Sequence, residues 1–110
     1  MTQADKIAEE EPCPPPPEFA GAQVREMRIV NRKGLHARAT AKFVQCVERF
    51  DAQIKVTRCG ETVGGDSIMG ILTLGAGLGS TISVAARGAQ AQEALDSLAA
   101  LVAARFGEDE

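Results

Sequence analysis

The sequence predicts an α+β fold in which helices pack on one face of a sheet. Two observations carry this. Stretches that alternate polar and apolar residues are separated by stretches whose apolar residues recur every three or four positions, giving the order β-α-β-β-α-β-α. Two of the links between strands are also too long for hairpins and carry helices. With 110 residues, one domain with one modest core is expected.

The elements follow in order. Residues 1–22 hold Glu9-Glu10-Glu11 and Pro12-Cys13-Pro14-Pro15-Pro16-Pro17. Prolines fix φ and cannot donate to a ladder, so this stretch is expected to be a disordered or extended tail ahead of a domain at 23–107. Val24–Asn31 alternates as a strand, and Arg32–His36 is a turn. In Ala37–Phe50 the apolar residues Phe43, Val44, Val47 and Phe50 lie on one helical face. Gln53–Arg58 is a half-buried strand, Cys59-Gly60 a turn, and Glu61–Val63 the returning hairpin partner. Ser67–Leu74 is a short apolar helix closed by glycines. Thr81–Ala86 is a further strand, and Gln90–Phe106 a last helix with Ala91, Ala94, Leu95, Leu98, Leu101 and Val102 in register. Residues 108–110 are expected to be a solvated acidic end. Gly75-Ala76-Gly77-Leu78-Gly79 lacks the lysine and flanking elements of a phosphate loop and reads as a flexible connection.

Composition narrows the function classes. There is no Trp or Tyr and only four Phe, so the core rests on Val, Ile, Leu and Ala. A formal net charge of −3 gives no broad basic footprint for nucleic acid. No apolar stretch approaches the ~20 residues that span a bilayer, and the polar N-terminus does not resemble a signal peptide. Cys13, Cys46 and Cys59 form neither a disulfide framework nor a zinc pattern, so all three are expected to be reduced thiols in a cytoplasmic protein. No metal or cofactor is expected.

His36 is the chain's one histidine. It falls at the turn before the first helix, within Gly34-Leu35-His36-Ala37-Arg38-Ala39-Thr40. Gly34 permits a tight approach with positive φ. The first N–H groups of a helix have no partner within it, and with the helix dipole they form an anion site. Arg38 adds a planar fork of donors that matches phosphate oxygens. Neutral imidazole is nucleophilic, and imidazole ordinarily titrates near neutral pH. A phosphorylated imidazolium also leaves readily, which suits a carrier. No acid/base pair stands nearby to activate water, so a small enzyme using His36 as general base ranks well behind.

Gly34-Leu35-His36-Ala37-Arg38 resembles the active-site motif of the HPr family, the phosphocarriers of the bacterial phosphoenolpyruvate-dependent phosphotransferase system. Ser67-Ile68-Met69-Gly70-Ile71-Leu72-Thr73-Leu74-Gly75 resembles the family's regulatory-serine segment at the matching spacing. The resemblance runs from about Val24 to Phe106. It implies an open-faced sandwich, a four-stranded antiparallel sheet covered on one face by three helices. It also implies that enzyme I phosphorylates His36 at the expense of phosphoenolpyruvate, that Arg38 binds the phosphoryl group, and that an enzyme IIA protein receives it. Ser67 matches the serine that HPr kinase/phosphorylase modifies in many members. Three positions depart from the pattern: Ala39 where proline is common, Lys33 where a small polar residue is frequent, and Asp66 before Ser67.

The family's partner-contact positions map onto Ala37, Ala41, Gln45, Ile68, Met69 and Leu72. So short an apolar helix cannot bury every side chain, and exposed apolar groups beside a functional residue mark binding surfaces. Ile68 and Leu72 could equally close the edge of the core. Ser67 could equally serve only as a helix cap. The alternative to a carrier is a regulatory binding module of the same fold, controlled through Ser67. A shuttle with one histidine is expected to work as a monomer. Sugar uptake and a regulatory, nitrogen-linked route are both open as the pathway.

Overall fold

The computed structural model describes residues 13–109. The strands are β1 (Gln23–Arg28), β2 (Gln53–Arg58), β3 (Glu61–Gly64) and β4 (Thr81–Arg87). The helices are α1 (Ala37–Val47), α2 (Ile68–Thr73) and α3 (Ala91–Ala103), and a 3₁₀ turn (Arg105–Gly107) ends the chain. The sheet runs β1-β4-β2-β3 with every neighbouring pair antiparallel. This is the α+β sandwich that the element order predicts, in the open-faced, four-stranded form that the resemblance implies.

Alternation decides which side of the sheet meets the helices. Ile82, Val84 and Ala86 of β4 and Ile54 and Val56 of β2 are buried on one face. They meet Phe43 of α1, Ile71 of α2, Leu95 and Leu98 of α3, and Phe106 beyond it, in one core cluster. The aliphatic core expected from composition is therefore finished by two phenylalanines at full burial.

Some ends differ from expectation. β1 stops at Arg28, where its pairing with Thr81 ends. Ile29 still donates to Ser80 O (2.8 Å) and accepts from Gly79 N (2.8 Å), so the chain stays tied while it leaves the ladder. α1 stops at Val47, and the N–H groups of Arg49 and Phe50 reach back only three residues, to Cys46 and Val47. That tighter winding commonly satisfies the last carbonyls of a helix.

The face without helices is not bare. Residues 13–19 cross it as an extended strap, and a turn closed by Ala22 N–H on Phe19 O (2.9 Å) leads into β1. The Phe19 ring lies under the cations of Lys55 (4.6 Å) and Arg87 (4.0 Å), and Arg87 donates to Ala20 O at 3.1 Å. Pro14, Pro15 and Pro16 wall a cleft with Thr57 and Ser83. Thr57 and Ala85 point to this side by alternation and are nevertheless buried. The proline-rich segment is thus extended, but its described part is held against the sheet. Residues 1–12 of the expected tail, and Glu110, lie outside the described residues.

The thiol expectation needs correction. Cys13 and Cys59 are joined in a disulfide across 46 positions of sequence. Cys46 alone is free and buried, and burial pushes its thiol pKa up. The strap carries Cys13 to the β2–β3 turn, where Cys59 sits in the left-handed region (φ 42°). No local signal in the sequence brings those positions together.

Closing a loop of that length restricts the unfolded chain. For the 46-residue separation, Cys13→Ser should lower the unfolding free energy by about 2–4 kcal/mol. Urea denaturation measures it. A dithiol reductant should bring the unsubstituted protein to nearly the same midpoint, and an unchanged midpoint in both would refute the effect.

Candidate functional site

The site begins with a clamped turn. Asn31 is fully buried, and its side-chain amide donates to Gly34 O at 2.8 Å. Gly34 has φ +67°, and a Cβ there would fall 2.6 Å from Ala76 O and 2.7 Å from Gly77 Cα. Both obstacles are backbone, so this position requires glycine for its dihedral and for the close approach. Leu35 then donates its N–H to the same Ala76 oxygen at 2.9 Å and buries its side chain. The Gly75–Gly79 segment is therefore not merely a flexible connection. Its Ala76 is buried and anchors the histidine turn.

Out of this turn the chain enters α1 with His36 as N-cap (φ −75°, ψ 179°). Thr40, fully buried, donates its N–H to His36 O (2.8 Å) and its hydroxyl to Leu35 O (3.2 Å). The ring is held at both nitrogens. Nδ1 accepts from the Arg38 backbone N–H at 3.3 Å. Nε2 closely contacts the Glu108 carboxylate. In the neutral ring one nitrogen donates and the other accepts. This pairing therefore puts the proton on Nε2 and the free electron pair on Nδ1, facing the N-terminus of α1. The surrounding hollow is lined by Arg32, Lys33, Ala37, Arg38, Glu108 and Asp109. Three of those six side chains are cationic. Among the described residues no group of His, Cys, Asp or Glu could hold a metal ion.

Glu108 escaped the sequence reading, which treated it as part of a solvated end. It is only partly exposed and belongs to the site. Arg105, Phe106 and Gly107 all lie in the left-handed region (φ 58°, 55° and 80°), which reverses the chain after α3. Phe106 inserts into the core at 1% exposure, and Lys42 of α1 donates to its carbonyl at 2.6 Å. These anchors deliver Glu108 to the far side of the imidazole, where Asn31 also donates to its Oε1 at 3.1 Å. The hydrogen bond with His36, then that from Asn31, hold the Glu108 carboxyl below its ordinary pKa, with Lys33 adding to the pull. Two successive non-glycine residues in the left-handed region are disfavoured locally, so only the buried phenylalanine could have hinted at this reversal.

Ser67 caps α2, accepting the Gly70 N–H at 3.0 Å. A Cβ on Gly70 would fall 2.8 Å from Ser67 Oγ and 2.9 Å from Val63 Cβ, so glycine lets the helix seat on β3. Ile71 and Leu74 face the core, Leu72 is half-buried, and Ile68 (43%) and Met69 (71%) are exposed. On the adjoining α1, Ala37 and Gln45 are exposed and Ala41 is half-buried. Ile68 therefore does not close the core edge.

Comparison with known proteins identifies the family and agrees with the fold. The family model PTS-HPr, described as the PTS HPr component phosphorylation site, matches residues 23–104. The chain belongs to the HPr family. A phosphocarrier protein HPr of Cupriavidus necator is 49% identical over 86 residues, covering 78% of this chain and 97% of that one. A crystal structure of HPr from Thermoanaerobacter tengcongensis superposes with a TM-score of 0.77 at 38% identity, covering 80% of this chain and 99% of its own. The solution structure of Crh, the Bacillus subtilis catabolite repression HPr, also matches, with a TM-score of 0.59, 38% identity, and coverage of 74% and 94%. HPr proteins are phosphocarriers of the phosphotransferase system rather than enzymes with turnover of their own. Among the described residues no helix is long and apolar enough to cross a membrane.

Two outcomes follow from the site. Gly34→Ala should destabilise the protein by roughly 2 kcal/mol or more, combining a left-handed alanine with the backbone collision; thermal or urea unfolding measures it. Glu108 should titrate below the ordinary glutamate value of about 4.5. A carboxyl with a depressed folded pKa adds stability that is complete above the unfolded value and is lost as pH falls through the folded one. The His36–Glu108 contact should therefore persist at pH 5 and weaken only under more acid conditions. A ¹³C carboxyl titration checks this, and a midpoint at or above the ordinary value would contradict it.

Proposed function

We propose that His36 accepts a phosphoryl group from enzyme I, with phosphoenolpyruvate as the ultimate source, and passes it to an enzyme IIA protein in the cytoplasm. One observation carries this reading. The Nδ1 electron pair of His36 is aimed at the N-terminus of α1, beside Arg38 and Lys33. As Nδ1 bonds to phosphorus, the bond from phosphorus to the donor group breaks and its electron pair returns to the donor. The Arg38 backbone N–H, released from Nδ1 as that nitrogen bonds to phosphorus, and the Arg38 guanidinium are then free to meet the phosphoryl oxygens at the N-terminus of α1. Nε2 keeps its proton, so the phosphorylated ring is cationic and ready to surrender the group.

Exposure favours α1 and α2 as the docking face. Ala37 and Ala41 leave room for another protein's histidine to approach, and Gln45, Ile68, Met69 and Leu72 frame the apolar contact. Ala39, at the position where proline is common in the family, is buried in the first turn. The chain works as a monomer in this reading.

Regulation through Ser67 is the second reading, and the likeness to Crh, named for catabolite repression, favours keeping it. Phosphorylation by HPr kinase/phosphorylase would place a charge of about −1.5 to −2 beside Ile68 and Met69. Partners that bind this apolar face would be repelled.

The test is intact mass after incubation with enzyme I, magnesium and phosphoenolpyruvate. The unsubstituted chain should gain one acid-labile phosphoryl group, and His36→Ala none. Arg38→Ala should slow transfer by roughly 10²-fold, the usual cost of losing one oxyanion donor. No gain under conditions that charge another HPr would overturn the carrier reading.

A further inference from the structure

We propose that Glu108 is the positioning residue of the phosphoryl site: held by Asn31, it fixes the His36 ring with its proton on Nε2 and keeps the phosphorylated ring cationic. Its second half rests on the carrier reading, while its first does not.

The geometry forms a three-member chain. The buried Asn31 amide donates one N–H to Gly34 O and the other to Glu108 Oε1. The other carboxylate oxygen, Oε2, meets His36 Nε2. Glu108 thus has one oxygen held by a fully buried amide that is itself bonded to Gly34 O, and the other directed at the ring. A carboxylate accepts and never donates when ionised, so Nε2 must be the donor. The tautomer is then decided before any partner arrives, and Nδ1 is left as the nucleophile. Orienting carboxylates opposite a working imidazole nitrogen act in this way in several enzyme classes.

The same carboxylate acts after transfer. With phosphorus on Nδ1, the ring carries its positive charge only while Nε2 holds a proton. Glu108 lies against that proton and opposes its loss. During donation the N–P bond breaks, its electron pair returns to Nδ1, and the ring regains the neutral Nε2–H form without exchanging a proton. Arg32, Lys33 and Arg38 are the cations lining the hollow, Lys33 acting also on the Glu108 carboxyl, and Asp109 is the other acid. Glu108 is the acid in contact with the ring.

The experiment uses the full chain and two variants. Glu108→Ala removes acceptor and charge, and Glu108→Gln removes the charge and leaves one carbonyl oxygen for which Asn31 and Nε2–H compete. Long-range ¹⁵N spectra of the neutral imidazole should show the Nε2–H form in the unsubstituted protein. Glu108→Ala should show the two tautomers mixed, with backbone amide positions in the sheet unchanged. After charging with enzyme I and phosphoenolpyruvate, the phosphohistidine half-life at neutral pH should lengthen about tenfold in Glu108→Ala, the scale of losing such an outer partner. Glu108→Gln should fall between. A ring that keeps one tautomer in Glu108→Ala overturns the proposal whatever the half-lives, and half-lives within twofold of each other overturn the charge role. Failure of enzyme I to charge any of the proteins would strike the carrier reading, and the ¹⁵N spectra would still decide the position of the proton.

Discussion

The hydrogen bond from Leu35 N–H to Ala76 O, 2.9 Å long, is the joint on which the site depends. It draws the turn after β1 against the segment before β4. The approach is so close that the residue next to the bond must be glycine. Strand order makes the contact possible, because β1 and β4 are neighbours although more than fifty residues separate them. The sheet therefore positions the histidine without contributing any atom to its chemistry. The helix that starts at this joint supplies the N–H groups, and the chain reversal after α3 supplies the carboxylate.

A division of labour follows between local and long-range information. The left-handed turn at Gly34, the start of α1 at His36 and the cap at Ser67 were legible in the sequence because each depends on neighbours within a few positions. A cap is bonded by the next turn of its own helix, and a left-handed glycine belongs to its own turn. The six-residue span of β2 was legible for the same reason, since alternation is local. Glu108 and the Cys13–Cys59 bond were not legible. Each joins residues 72 and 46 positions apart, respectively, and the partner is chosen by tertiary placement alone. Both lie in segments whose composition, acidic or proline-rich, reads as solvated chain.

These two misreadings share a cause. Polarity and proline content report that a segment cannot build its own core. They do not report whether an existing surface will hold it. Phe19 and Phe106 are the apolar residues that anchor the two segments, one beneath a pair of cations on the sheet and the other inside the core. A lone aromatic at the border of a polar stretch is thus a signal of attachment that periodicity cannot supply, because one residue has no period.

The reversal after α3 has a practical consequence for handling the molecule. Asp109 lines the hollow around His36, so a purification tag, fluorophore or fused domain joined directly to it starts at the mouth of the hollow in which phosphoryl exchange is proposed. Bulk added there competes for the space that an incoming protein must occupy. Cys13, the other end of the described chain, is tied instead to Cys59 beside the helix-free face of the sheet.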